Sequence, residues 1–430
     1  MNKNIINRKI QPAFTQLHFN GFPEFKKELL TKEIPCYCFH NPSTEVIKFN
    51  MVIKAGSWSQ QKLLQAQSMA RLMTEGTKTY NAYQIAEIVD FNGAYLDITS
   101  SFHQTIINIV ALKHSLKNLI PLLKSILTES IFPEEELKII LANNKQDFIV
   151  GSQKVMTLAR RIFPSMIYGE NHPYGSVLKE SDFDNISAND LVLFYNNLPL
   201  NSLNCYLSGN IDSNTISLLK DLLMDVTEAD NNVTENHFEI IASTEKEKLI
   251  EVDNAVQSAI ILGTQVIGRT HRDFPLLYLT NTILGGYFGS RLMKAIREEK
   301  GYTYGISSGI TFRKNASHLS IQTEVKSQTT NLALDEIFNE ILRLSVEKVS
   351  LEELDIARNY IFGSQLRNMD GAFALSDRLM SAHSENIDPY KYYRYFWDTI
   401  ANATPSDVIE MTKKYLVPDK MRVLIVGNKN

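Results

Sequence analysis

Cysteine, long apolar runs and unbalanced charge are all scarce in this sequence. Only three cysteines occur among 430 residues, Cys36, Cys38 and Cys205, and a small odd number is typical of proteins from a reducing compartment. No segment approaches the ~18 consecutive apolar residues that a membrane-spanning helix needs. The first residues carry cations but no continuous apolar stretch, so we expect no signal peptide. These absences predict a cytoplasmic protein without a membrane partner.

The charges of the chain nearly cancel. Lysine and arginine number 44, aspartate and glutamate 48, and the net charge is -4. No basic tract interleaved with aromatic residues occurs, so we expect no nucleic-acid partner. Hydrophobic residues at 44% and charged residues at 21% are typical of a globular protein. The length exceeds what one ordinary core organises and predicts two domains of about 200 residues each.

Sequence motifs that hold a metal or a nucleophile are also missing. None of the nine histidines lies three, four or five residues from another, so no pair has the spacing of adjacent zinc ligands. No G-x-S-x-G elbow, Walker A loop or dinucleotide fingerprint occurs. His172, beside Pro173 in a loop, could act as a base, but a capping or surface role is the simpler interpretation. Cys36 and Cys38 share one face of a predicted strand, where buried thiols are commoner than a metal site.

What the sequence does contain is an internal repeat. Gly93 is followed by Ile98, and Gly301 by Ile306, at identical spacing and each time after a predicted helix. Further corresponding positions are Ser187 and Asp190 with Thr404 and Asp407, Pro199 with Pro418, and Gly209 with Gly427. The offset drifts only from roughly 208 to 218 residues, which loop insertions account for. We therefore predict an α+β fold with two similar, duplicated domains, each an antiparallel or mixed sheet with helices on one face.

The most polar stretch in the middle of the chain is TEADNNVTENH, which follows a predicted helix at 213–225. Such composition is typical of a connection between domains. The predicted domains are therefore 1–226 and 239–430, joined by a linker at 227–238.

One segment of the second domain brings two hydrogen-bond donors together. In Leu284–Gly309 a helix is predicted up to Gly301, where a left-handed residue ends it, and a strand follows. Arg297 lies near the end of that helix and Tyr304 near the start of the strand. Both side chains are donors, and the guanidinium is always charged. We expect them to converge on one ligand oxygen, although a solvated arginine beside Glu298 is the alternative.

Short motifs recur in a fixed order along almost the whole chain. They are Ala55-Gly56, Glu75-Gly76-Thr77, Asn92-Gly93 through Thr99-Ser100, Phe132-Pro133, His172-Pro173-Tyr174-Gly175, the strand from Pro199 to Gly209, Asp273 through Leu284-Gly285-Gly286, and Ser290-Arg291-Leu292 through Arg297, Gly301 and Tyr304. In this order and spacing they resemble the pitrilysin family of metallopeptidases, in the branch of half-length bacterial proteins related to mitochondrial processing peptidase. The resemblance implies a clamshell of two similar α+β domains, in agreement with the repeat.

The chain departs from this family at the positions of the metal ligands. Active members carry H-x-x-E-H on the helix before Glu75-Gly76-Thr77, and the corresponding positions here include Gln67, Ala70 and Arg71. A guanidinium cannot coordinate a cation and repels one, and an alanine cannot activate water. The distal glutamate ligand aligns with Asn143. The resemblance therefore implies a chain that binds no metal or other cofactor and does not hydrolyse peptides alone.

The resemblance assigns the remaining residues to a shared active centre. In the family, an arginine and a tyrosine at the spacing of Arg297 and Tyr304 hold the substrate and stabilise the oxyanion. The peptide is expected to add as an edge strand in the partner, and the strand with Tyr95, Leu96 and Asp97 is then a degenerate copy of that substrate-binding edge. We expect a heterodimer in which a paralogous H-x-x-E-H subunit supplies zinc and this chain supplies Arg297 and Tyr304 to an unstructured oligopeptide. Two alternatives stay open: an inert structural or interaction protein, and a homodimer that merely binds peptides.

Overall fold

The computed structural model describes residues 17–224, residue 226 and residues 236–428. Of the predicted linker 227–238, only residues 236–238 fall within this part. The first half of the described chain forms a six-stranded sheet of β1 (Lys26–Leu29), β2 (Pro35–His40), β3 (Val46–Ile53), β4 (Tyr95–Ser100), β5 (Thr105–Leu112) and β6 (Asn204–Gly209). The strand order is β1-β2-β6-β3-β5-β4, so β4 lies at an edge.

Helices fill the connections between these strands. They are α1 (Gln65–Leu72), α2 (Ala82–Phe91), α3 (Leu116–Glu129), α4 (Glu134–Ser152), α5 (Val155–Tyr168), α6 (Ala188–Asn196) and α7 (Ser213–Leu223). A capping box begins α2, because Asn81 accepts from the Gln84 amide while the Gln84 side chain accepts from the Asn81 amide. Two unpaired amides at the helix start are thereby satisfied. Local sequence therefore determines where this helix begins.

The second half of the described chain repeats this architecture. A five-stranded sheet contains β7 (Glu247–Glu251), β8 (Gln257–Val266), β9 (Thr303–Phe312), β10 (Ser317–Lys326) and β11 (Arg422–Gly427). The helices are α8 (Phe274–Asn281), α9 (Thr330–Val346), α10 (Leu351–Arg367), α11 (Gly371–Ser384), α12 (Pro389–Ala401) and α13 (Pro405–Tyr415), with π-helical turns at Thr282–Gly286 and Met293–Glu299. The strand order is β7-β11-β8-β10-β9.

Strand pairing confirms the predicted duplication. In the first sheet, β6 pairs in parallel with β2 and antiparallel with β3. In the second sheet, β11 pairs in the same way, in parallel with β7 and antiparallel with β8. The pairs β3–β5–β4 and β8–β10–β9 are antiparallel in both sheets, and the first sheet has one additional antiparallel pair, β1–β2. The α+β class with mixed sheets is therefore confirmed. The edge strands β4 and β9 occupy equivalent places.

The helices lie on both faces of each sheet, which corrects the prediction of helices on one face. One face of the first sheet packs on helices of its own half, including α1 and α3. Its opposite face packs on α11, where Leu379 contacts the cluster around Val52 and Tyr206. Reciprocally, α5 packs Phe163 and Met166 against the second sheet. Each half therefore supplies one helix to the sheet of the other.

The reason for this exchange lies in the central strands. Successive residues of β8, from Ala259 through Leu262, are all buried, as are those of β11 from Leu424 through Val426. Because successive side chains of a strand point to opposite faces, such runs need cover on both sides. A sheet with helices on only one face would leave half of these residues in water. No helix of the described residues has the length and apolarity that crossing a membrane requires.

The three cysteines lie inside the first half. Cys36 and Cys38 share one face of β2, as predicted, and their Sγ atoms are 3.8 Å apart. Cys205 of β6 is the register partner of Cys36, and all three thiols are free and buried. Burial raises the pKa of the Cys205 thiol far above its ordinary value. They behave as small apolar core residues.

Candidate functional site

Helix α1, which carries three of the positions that the sequence comparison predicts to replace metal ligands, is held firmly in place. Gln65, at the start of α1, is buried; its side-chain oxygen accepts from the Gln61 amide at 2.9 Å and its side-chain nitrogen donates to the Asp190 carbonyl at 2.7 Å. These bonds satisfy a polar group that burial would otherwise penalise. Leu64, just before the helix, has a left-handed φ of 70°. The start of α1 is therefore fixed against α6.

The positions that align with the zinc ligands do not form a metal site. Gln67 and Arg71 are exposed on α1, Ala70 is buried in the core, and Asn143 is exposed on the neighbouring α4. Zinc in proteins is bound by thiolate, imidazole or carboxylate groups, and this set offers two amides, a methyl group and a cation. Across the described residues, no group of three or more His, Cys, Asp and Glu side chains could hold a metal ion. The donor set does not fit zinc.

Tyr95, Leu96 and Asp97 lie on β4, the edge strand of the first sheet. Their partners are all on β5, so the opposite edge of β4 pairs with no strand of the described chain. An open strand edge presents backbone donors and acceptors to another chain. The neighbouring helix α2 also exposes two aromatic side chains, Tyr83 and Phe91, the latter with 88% of its surface in solvent. The apolar surface beside the edge was not part of the sequence prediction.

Arg297 and Tyr304 lie on one helix–turn–strand unit. Arg297 is in the π-helical turn Met293–Glu299, Gly301 has a φ of 65° and ends it, and Tyr304 is the second residue of β9. The Arg297 guanidinium lies 4.8 Å above the centre of the Phe288 ring, and Tyr304 is 93% exposed. Neither side chain forms a hydrogen bond or an ion pair within the described chain.

The loop around His172 is an aromatic cluster rather than a surface feature. His172 is buried among Trp58, Tyr168, Tyr174 and Phe238, and its Nδ1 accepts from the Tyr174 amide at 3.1 Å. Burial, with a smaller contribution from a nearby arginine, lowers the pKa of this imidazole. The imidazole stabilises the turn and the cluster. The predicted capping role is consistent with this bond, whereas the surface role is wrong.

Arg313 of the β9–β10 turn crosses from the second half into this cluster. Its guanidinium lies 4.2 Å above the ring of Phe102 and 5.0 Å from that of Tyr174. The Tyr174 hydroxyl also accepts from the Asn315 amide of the same turn. The turn therefore contacts the first-half cluster through the rings of Phe102 and Tyr174 and through one hydrogen bond. Sequence reasoning missed this contact, because nothing in a turn of polar residues indicates which distant rings it meets.

The part of the chain that the structure describes forms a groove of about 450 Å³ beside Gln67. Its walls come from the loop before α1, from Phe102, from α5 through Arg161, and from Arg313. The groove therefore lies between the degenerate metal position and the end of β4. Arg313 of the second half lines it together with residues of the first half.

Two family models match the chain. The model described as "Insulinase (Peptidase family M16)" matches residues 37–157, and "Peptidase M16 inactive domain" matches residues 185–361. The first range contains the degenerate positions on α1 and α4. The second contains Arg297 and Tyr304. The first match lies within the first half, and the second extends from α6 of the first half into α10 of the second.

Related proteins and structures agree with this assignment. The chain is 26% identical over 380 residues to "Non-peptidase homolog YmxG" of Helicobacter pylori, covering 85% of this chain and 84% of that protein. It is 23% identical over 415 residues to an "Uncharacterized zinc protease" of Rickettsia bellii, covering 94% and 98%. The crystal structure of a peptidase M16 inactive domain from Pseudomonas fluorescens superposes with a TM-score of 0.84 at 19% identity, covering 94% of this chain and 98% of that one. The chain belongs to the M16 peptidase family, as an inactive homologue.

Proposed function

We propose that this chain is the non-catalytic subunit of a heterodimeric zinc metallopeptidase that acts on unstructured oligopeptides. The partner is a paralogous subunit with an intact H-x-x-E-H motif, which binds the zinc. This chain brings no cofactor of its own. It supplies Arg297 and Tyr304 to the substrate backbone and to the oxyanion that forms at the partner's metal.

The observation that carries this proposal is a difference between the two domains: the first lacks metal-binding groups at the aligned positions, whereas the second keeps the arginine and the tyrosine. Gln67, Ala70 and Arg71 retain no metal-binding group, whereas Arg297 and Tyr304 retain both donors: Tyr304 is exposed, and Arg297 is half-buried with its guanidinium over the Phe288 ring. An arginine and a phenol are the groups that stabilise a developing negative oxygen. A chain without any peptidase role has no use for an uncommitted donor pair at the spacing of an active family member. This combination favours a donor role toward another subunit.

The substrate edge follows from the same proposal. Tyr95, Leu96 and Asp97 lie on an open strand edge, to which an extended peptide adds as a further strand. Main-chain hydrogen bonds then provide affinity with little sequence preference. An unfolded peptide meets this requirement, whereas a folded protein does not present a free strand.

Two further assignments belong to the proposal. We place the functional domains at 1–226 and 239–430, since the polar segment 227–238 separates the two sheet-forming halves. We place the protein in the cytoplasm, since its three cysteines are free and buried and a reducing compartment keeps them so.

The test is to mix the purified chain with an H-x-x-E-H subunit from the same genome. We expect one complex by size-exclusion chromatography and hydrolysis of a fluorogenic unstructured peptide. Arg297→Ala and Tyr304→Phe should each lower kcat by roughly 10²- to 10³-fold, the loss typical of one oxyanion donor. Lys294→Ala, in the same helical turn, and Tyr360→Phe, an exposed tyrosine of α10, serve as matched controls and should leave kcat unchanged.

Three results would contradict the proposal. One is the absence of a complex with any such subunit. Another is full kcat in both donor variants although the complex forms. A third is a partner whose rate is the same alone and in the mixture, which would support an inert structural protein. A homodimer that binds peptide without any partner would support the remaining alternative.

A further inference from the structure

The groove beside Gln67 has an unusual balance of charge. Three cations line it, Lys62, Arg161 and Arg313, and no aspartate or glutamate is among the residues that the described chain contributes to its walls. Over the whole sequence, acidic residues outnumber basic ones. An acid-free wall with three cations is therefore a local feature rather than a consequence of composition.

The three cations differ in the groups with which they interact. Lys62 pairs with Asp190 at 2.8 Å, away from the groove at the start of α6. Arg161 donates only to neutral oxygens, the Phe148 carbonyl at 2.9 Å and the Ser152 hydroxyl at 2.7 Å. Arg313 faces aromatic rings, and its buried Nε has no hydrogen-bond partner. Two guanidinium groups in the described structure therefore lack a carboxylate partner.

An uncompensated cation in a partly buried position is costly. Burial lowers the pKa of Arg313 below its ordinary value, and the Arg313 charge in turn helps to lower the pKa values of His172 and His318. A carboxylate that entered the groove would offset this charge. Its two oxygens match the fork of guanidinium donors and form charge-assisted bonds. Electrostatics and shape therefore favour the same kind of ligand.

The groove also lies where a peptide on β4 would reach it. Phe102, in its wall, follows the last residue of β4 by two positions, and Gln67 marks the site where active relatives hold their metal. We infer that this groove is a carboxylate-binding subsite, which holds an acidic group of the peptide that lies along β4. The inference rests on the proposed function for its ligand and goes beyond it by naming a preference.

The test measures binding by the full chain without any partner. Three unstructured peptides of one neutral sequence are titrated by calorimetry: one amidated and free of acids, one with a free terminal carboxylate, and one amidated with a single internal glutamate. We expect at least one acidic peptide to bind about tenfold or more tightly than the neutral one, because hydrogen bonds between a guanidinium and a carboxylate are stronger than those between neutral groups. The better of the two acidic peptides identifies the source of the carboxylate.

Variants locate the preference. Arg313→Gln and Arg161→Gln should each reduce it to about twofold or less, whereas Arg160→Gln should retain it. Arg160 immediately precedes Arg161 on α5. Its side chain is exposed and donates to the Gln322 side chain instead of lining the groove. Arg160→Gln and Arg161→Gln carry the same net charge, so long-range electrostatics cannot explain a difference between them. Thermal denaturation checks folding, and Arg313→Lys replaces Arg313→Gln where the latter does not fold.

Equal affinity for all three peptides would overturn the subsite, and so would a preference that persists in both groove variants. Absence of any peptide binding would also overturn it. The hydrolysis rate of the mixture with the H-x-x-E-H subunit is measured separately. The subsite can therefore fail while the subunit proposal stands, and the reverse outcome is equally visible.

Discussion

The exchange of α5 and α11 predicts that the two halves unfold as one unit. Leu379 of α11 is fully buried against the first sheet although it belongs to the second half of the chain. Leu379→Ala removes apolar contacts and leaves a cavity, at a cost of about 3 kcal/mol. Phe163→Ala on α5 is the reciprocal change, since Phe163 packs on the second sheet. Each substitution should destabilise both sheets.

The size of the Tm shift distinguishes the two possibilities. With an unfolding entropy of about 2.1 cal/mol/K per residue, a loss of ~3 kcal/mol lowers Tm by roughly 3 °C for a 430-residue unit and by roughly 7 °C for a half of about 200 residues. Differential scanning calorimetry should show one transition that moves by the smaller amount. Leu342→Ala, at an exposed position of α9, is the matched control and should leave Tm nearly unchanged.

Hydrogen exchange adds a residue-level readout. Leu379→Ala should lower the protection of amides in β6 and in β8 alike, although only β6 lies against the substituted side chain. Two separate calorimetric transitions, with only one of them shifted, would refute the reasoning. So would a loss of protection confined to the first sheet.

Two further predictions follow from the site and its surroundings. The purified chain should contain no stoichiometric zinc by elemental analysis, and Gln67→His with Arg71→His and Asn143→Glu should restore one equivalent; zinc in the native chain would contradict the loss of the site. Burial lowers the pKa of His318 to about 4, so between about pH 6.5 and 4 the unfolded chain binds a proton that the folded chain does not, and stability should fall by at most roughly 3 kcal/mol as the pH decreases through that range. His318→Asn keeps an acceptor for the Tyr168 hydroxyl without titrating, so urea unfolding should depend less on pH, and an unchanged dependence would show that other groups dominate.

Local features were accessible from the sequence because short-range chemistry determines them. The capping boxes at Ser187 and Thr404 both form, each with the aspartate three residues later. The left-handed residue Gly301 is also as predicted. These features depend on neighbours within a few residues, and the repeat doubled the evidence for each.

Long-range arrangements were not accessible in the same way. Strands β2 and β3 follow each other in the chain but do not pair, because β6 inserts between them. The apolar residues around Ile261 and Ile425 are buried on both faces of the second sheet. Their sequence does not reveal which helix covers each face. The meeting of Arg313 with Phe102 spans more than two hundred residues of sequence. Such contacts depend on the assembled fold.

The placement of the three thiols has a practical consequence. Cys36, Cys38 and Cys205 all lie in the first half, and the second half contains no cysteine. Because they are buried in the folded chain, a thiol reagent labels them only when the first sheet opens. The native protein thus carries a built-in reporter for one half. A single cysteine introduced at an exposed position of β9 could be labelled selectively in the folded chain, without removing any native residue.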